Sequence, residues 1–176
     1  SLLARVLLST PDLFQALLSA PMTTAAAGLR VDGLWNVCVD QWIARYDSIG
    51  GGALAPWTRK CWAMALCVPI SSGDAAAMRN FGEVVNICVS TLAGTDTEPT
   101  RDEAGMGVGA IVGPVSLEAT AKQKLQATDP VYTVSLKTHV KNAFARCNDA
   151  VGAGVFAQHS AATGETVMAQ LHQFLH

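Results

Sequence analysis

PWTRKCWAMALCVPISSGDAAAMRNFGEVVNICVSTLAG, Pro56 to Gly94, carries the reading on which the fold rests. Pro56 suits the first turn of a helix, where its missing N–H costs nothing. From Cys61 to Val68 that helix is apolar on every side, so it is the buried member of a helix pair, and Pro69 is expected to end it. Asp74 can cap a second helix that runs to Gly94, with Met78, Phe81, Val85, Cys88, Val89 and Leu92 at helical spacing. Gly82 inside it costs about 1 kcal/mol relative to alanine, which points to close approach of a neighbouring helix there.

Working outward, DGLWNVCVDQWIARYD, Asp32 to Asp47, sets Trp35, Cys38, Val39, Trp42 and Tyr46 on one helical face and leaves Asn36, Asp40 and Gln41 largely elsewhere. Gly50 to Gly52 form a turn before Pro56. Upstream, LLARVLLS is a helical stub, Thr10 and Pro11 stand in cap-then-proline order, and PDLFQALLSA makes a short helix ended by Pro21. The stretch from Met22 to Arg30 is a weak connector or another short helix.

Downstream the composition changes. TDTEPTRDEAGMGVGAIVGP, Thr95 to Pro114, holds four carboxylates, two prolines and four glycines with little apolar periodicity, and is expected to be a flexible linker. SLEATAKQKLQA follows as a modest helix. In VYTVSL, Val131 to Leu136, side chains alternate as in an extended strip, and Asp129 before Pro130 disfavours helix at that point. Ser135 then caps a helix through Val140, Phe144, Cys147 and Val151, and a last helix runs from about Thr163 to Leu175.

The chain is therefore expected to be all α, a pattern that a helical bundle shares with an α-solenoid; the expectation is a HEAT-type α-solenoid of C-terminal repeats over residues 1–94, a polar glycine-rich linker over 95–114 and a capping helical extension over 115–176. It opens inside a helical pattern at Ser1 with no initiator methionine, which points to a C-terminal piece of a longer chain.

Composition narrows the function. Among 176 residues, 50% are hydrophobic and 15% charged, enough for a substantial core, and a net charge of −2 with scattered basic residues argues against nucleic acid as a partner. No apolar run is long enough for a membrane span, and LLARVLLS lacks the features of a secretory signal. Five cysteines, with no CxxC pair, read as reduced core thiols of an intracellular protein.

A cysteine hydrolase would need Cys61 or Cys147 beside His139 or His159, but cysteines on apolar helix faces are usually inert packing residues. GMGVGA lacks the strand and the Lys-Ser/Thr of a phosphate loop, and His139, His159, His172 and His176 lack the pairing with glutamate of a helical zinc site. No catalytic, cofactor or metal site is expected. Trp35, Trp42, Trp57 and Trp62 are expected to pack between their two neighbouring helices. Arg59 and Lys60, read in a first helical turn where cations oppose the macrodipole, are the candidates for contact with a partner, unless Asp40 or Asp47 neutralises them.

The order RVLLSTPDLFQALL, WIARYDSI, PWTRKCWAMALCV, NFGEVVNICVSTL, KQKLQATDPVYTVSL and MAQLHQFL resembles, over nearly the whole chain, the C-terminal end of the importin-eleven-like receptors of the importin-β superfamily. DPVYTVSL before an amphipathic helix and the PxxRKxxAxAL pattern at Pro56 to Leu66 are its most specific parts. The resemblance implies a non-enzymatic superhelix that shuttles between cytoplasm and nucleus. It would bind protein cargo, cross the pore at the nuclear envelope by weak contacts with nucleoporin phenylalanine-glycine repeats, and release cargo when Ran-GTP binds N-terminal repeats. The strip with Val131, Tyr132, Val134 and Leu136 is then expected to fold back over the last repeat, followed by two helices.

Overall fold

The structure, a computed structural model, describes residues 2–14, 31–49, 55–95, 124 and 126–176. These residues are helical, without strands: α1 Leu2–Ser9, α2 Val31–Arg45, α3 Ala55–Ser71, α4 Ala75–Arg79, α5 Phe81–Thr95, α6 Pro130–Thr133, α7 Leu136–Val151, α8 Ala153–Thr163 and α9 Glu165–Leu175. None of them is long and apolar enough to cross a membrane. The expected linker, Thr95 to Pro114, lies outside the described residues apart from the end of α5, as does most of SLEATAKQKLQA.

The helices stack in two layers. In one, α3 lies between α1 and α7; in the other, α5 lies between α2 and α9; and α3 packs on α5. Two neighbour pairs can be followed residue by residue, one in each layer, and both run parallel. Along α3 and the segment leading into α7, Trp57 meets Tyr132, the Met64 carbonyl meets His139 and Gly73 meets Val151. Along α2 and α4–α5, Asn36 meets Arg79, Asp40 meets Asn80 and Tyr46 meets Thr91. Parallel neighbours in each of two layers are what a repeating helix pair produces when it is stacked on itself, so the chain is an all-α repeat solenoid.

Burial follows the helical periods. Cys38, Val39 and Trp42 are buried on α2, as is Tyr46 just past its end, while Asp40 and Gln41 are exposed. Cys61, Ala63, Met64, Ala65, Leu66 and Cys67 are buried on α3, which is sandwiched on several sides. Leu136, Val140, Phe144 and Cys147 are buried on α7. Phe81 is the hub between layers: its ring meets Phe144 and Phe156 edge-on at 5.6 Å each, and Phe144 and Phe156 meet at 6.4 Å. Each fully buried Leu, Ile or Phe contributes about 1.5–3 kcal/mol.

Five local expectations are corrected. Pro69 lies inside α3, which runs on to Ser71. A proline ring clashes with the turn before it, not the one after, and the Pro69 carbonyl accepts from Ser72 N at 3.2 Å and Asp74 N at 3.0 Å. The helix capped by Asp74, whose Oδ1 accepts from Ala76 N and Ala77 N, breaks at Asn80. There the Asn80 amide donates to the Ala76 carbonyl and to Asp40, holding the chain in a non-helical conformation before α5 starts.

The strip Val131 to Leu136 is extended only at Val134 and Ser135; its first part is helical. Asp129 takes extended dihedrals, as the following proline requires, and its carboxylate caps Val131 N at 3.0 Å, so Pro130 starts the helical turn α6. Tyr132 and Val134 are half-buried and Leu136 is buried, with Thr133 and Ser135 exposed between them, so the expected alternation of burial holds from Tyr132 on; Val131, buried inside the helical turn, departs from it. The fold-back itself is present, with α6 seated on α1 and α3.

Three helices, not two, follow α6. Gly152 (φ +84) and Gly164 (φ +99) take left-handed dihedrals that separate α7, α8 and α9. Gly82 does have a helix end beside it, but an added Cβ would sit 3.5 Å from Thr163 Oγ1, an ordinary contact. The tight approach is at Gly73, where a Cβ would stand 2.5 Å from Val151 Cγ1.

Candidate interaction surface

Arg59 and Lys60 occupy the second turn of α3, because the helix starts at Ala55. Neither lies on an open surface. Arg59 is part-buried; its Nη2 donates to the Ile49 carbonyl at 3.0 Å and its guanidinium lies 5.8 Å from the Tyr46 ring centre. Asp40 accepts from Asn80 instead. Lys60 is only 5% exposed, with Nζ 5.4 Å from the centre of Trp57. Trp57 in turn packs on Tyr132 at 4.4 Å, and Arg5 lies 5.8 Å over the other ring while pairing with Asp129.

A chain of cations and rings thus runs from α3 through α6 to α1, and it ties the C-terminal segment down. Trp57 therefore serves the fold-back rather than the α2–α3 packing expected for it. Trp42 is core, as its spacing indicates, and the Trp35 side chain lies outside the described residues.

The cysteines and histidines that a hydrolase would use are packing groups. Cys147 Sγ donates to Met78 Sδ at 3.6 Å, and Cys61 is fully buried. Burial pushes the thiols of Cys38, Cys61 and Cys147 up. Cys67 and Cys88 meet at 3.8 Å, and the Cys67 thiol is held well above its ordinary value, first by that hydrogen bond and then by burial. A thiol held protonated is a poor nucleophile.

His139 Nε2 faces the Met64 carbonyl at 3.1 Å, which assigns the proton to Nε2. Burial lowers its pKa, Arg146 lowers it further, and the Met64 bond only partly opposes them. The unfolded chain therefore takes up this proton first as pH falls through the ordinary histidine range. The stability that neutral His139 contributes is complete above about pH 6.5 and declines below it until the folded form also protonates. Urea midpoints are expected to fall from pH 7.5 to 5.5, and to fall less in His139→Gln, which keeps a donor for Met64. Equal slopes would remove His139 from this role.

The layer of α2 and α5 carries outward-facing polar groups. Between these helices runs a groove lined by Ile43, Tyr46 and Ile87, by Asp47 and Glu83 as carboxylates, and by Asn86 and Ser90 as neutral polar groups. A second depression at the α4–α5 break faces α8 and is lined by Arg79, Glu83, His159 and Thr163. Two outward carboxylates with neutral polar groups between them fit a short basic stretch of another protein, which can set its charges against Asp47 and Glu83. The sequence reading missed this groove. Glu83, Asn86 and Ser90 do share the polar side of one helix at i, i+3 and i+7, but the other wall comes from a separate helix.

Comparison with known proteins gives one family: a family model described as Importin-11-like, TPR repeats, matches residues 1–176. Its repeats are of TPR type where HEAT repeats were expected; both stack helix pairs into a superhelix. No curated protein and no solved structure matches.

Proposed function

The chain belongs to the Importin-11-like TPR-repeat family, and from that premise we infer that it is the C-terminal part of a nuclear import receptor. The receptor carries protein cargo through the nuclear pore by weak contacts with phenylalanine-glycine repeats, shuttles between nucleus and cytoplasm, and releases cargo when Ran-GTP binds its N-terminal part. This part works by binding, not by catalysis; the family is not an enzyme family. The observation that carries the reading here is the groove between α2 and α5. Its carboxylates face outward for a cargo segment, whereas Arg59 and Lys60 are engaged inside the fold.

The intact receptor with bound cargo is expected to release it on addition of Ran-GTP and to keep it with Ran-GDP. Retention in both would leave a repeat scaffold without a transport role. The isolated 176-residue chain is expected to show no nucleotide-dependent binding to Ran when titrated at physiological salt, where charges more than ~8 Å apart are largely screened. Micromolar binding restricted to the GTP form would place Ran recognition at this end of the receptor.

A further inference from the structure

The sequence reading dismissed metal because no histidine pairs with glutamate in the manner of a helical hydrolase site. The structure draws attention to a different arrangement on α9. His172 and His176 are one helical turn apart, both exposed, with ring centres 6.3 Å apart and planes within 14°. We propose that His172 and His176 form a two-imidazole site for a late divalent transition-metal ion, Ni2+, Cu2+ or Zn2+, on the last turn of α9.

Residues four apart on a helix stand side by side, so two imidazoles there can close on one ion without moving the backbone. Imidazole suits these three metals, with bonds of about 2.0–2.1 Å for zinc. The two rings lie nearly parallel, and a change of rotamer about Cα–Cβ together with a turn about Cβ–Cγ, both open to exposed side chains, brings one nitrogen of each onto the ion. Position favours a cation as well: the unpaired carbonyls of a helix C-terminus carry a partial negative charge. Gln173 stands where a zinc hydrolase helix would carry its glutamate base, so the site binds and does not hydrolyse. Two protein ligands leave the other positions to water.

The consequence is mechanical. Leu171 and Leu175, buried on the same helix, help to hold α9 on α5, and an ion that clips its last turn stabilises that cover by favouring the folded helix over the frayed one.

The test titrates NiCl2 into the tag-free 176-residue chain, read by calorimetry and by the histidine ring signals in NMR spectra. The ring signals of His172 and His176 are expected to broaden before those of His139 and His159. Affinity is expected to fall at least tenfold in His172→Gln and in His176→Gln, since each removes the chelate and leaves one ligand. Both positions are exposed, so both variants keep the fold, and His159→Gln is expected to bind like the parent. A loss smaller than tenfold in both variants, simultaneous broadening of all four histidines, or no saturable binding overturns the proposal.

Discussion

Phe81→Ala is expected to lower the free energy of unfolding by about 3–5 kcal/mol, a large part of the roughly 5–15 kcal/mol that a domain of this kind has. The ring is 2% exposed and opens α5 directly after the Asn80 break. It touches Phe144 of α7, Phe156 of α8 and, at 5.7 Å, the His159 ring, so three helices meet around it. Removing it forfeits the transfer energy of the ring and leaves a cavity that three separately anchored helices cannot close. At about 2–4 °C per kcal/mol for a chain of this length, the melting point should drop by roughly 10 °C. Val155→Ala, on the exposed side of α8, should change stability by less than about 0.5 kcal/mol. A Phe81→Ala loss under 1 kcal/mol would mean that α8 does not pack on α5 as described.

Val131→Asp is the second large effect, a loss on the order of 3–5 kcal/mol. Val131 is fully buried in α6, where a carboxylate must either stay charged without water or take up a proton and still leave polar atoms in an apolar site. The loss falls where α6 seats on α1 and α3, and the Arg5–Asp129 pair and the Trp57–Tyr132 contact depend on that seat. Val134→Asp, at a half-buried position that an extended strip would have sealed, should cost less than half as much. Urea denaturation of both variants ranks the two sites. Equal losses would restore the extended reading, and an unchanged midpoint for Val131→Asp would remove the fold-back.

These two residues show where local reading succeeds and where it stops. Phe81 was legible as core because helical spacing from Met78 to Leu92 is a local pattern. The break at Asn80 was not, because it is held by a hydrogen bond from the Asn80 amide to Asp40 of another helix. Val131 was legible as part of the strip that folds back, but the alternation set it opposite Tyr132, Val134 and Leu136, and its helical backbone was misread. Alternation over six residues is a short signal, and the Asp129–Pro130 pair that disfavours helix at Asp129 itself also caps and starts one immediately after it. Helix α8 carries no charge and no buried residue, so it has no amphipathic period to find. The cap at Ser135, by contrast, was plain, and its Oγ accepts from Thr138 N at 3.5 Å.

The candidate groove divides in the same way. Periodicity could assign Glu83, Asn86 and Ser90 to one polar face, but their union with Ile43 and Asp47 required α2 and α5 to lie parallel in one layer. Arg59 and Lys60 looked available because a sequence lists charges without their surroundings; the fold turns them onto Tyr46 and Trp57. What the sequence determined alone was helix content, most helix starts and the apolar faces, since caps and 3.6-residue periods act within a few residues of chain. Which face meets which, and hence which polar groups remain outside to meet another molecule, was decided by the tertiary structure, because burial is shared among helices distant in sequence and any apolar face can satisfy any other until shape selects the partner.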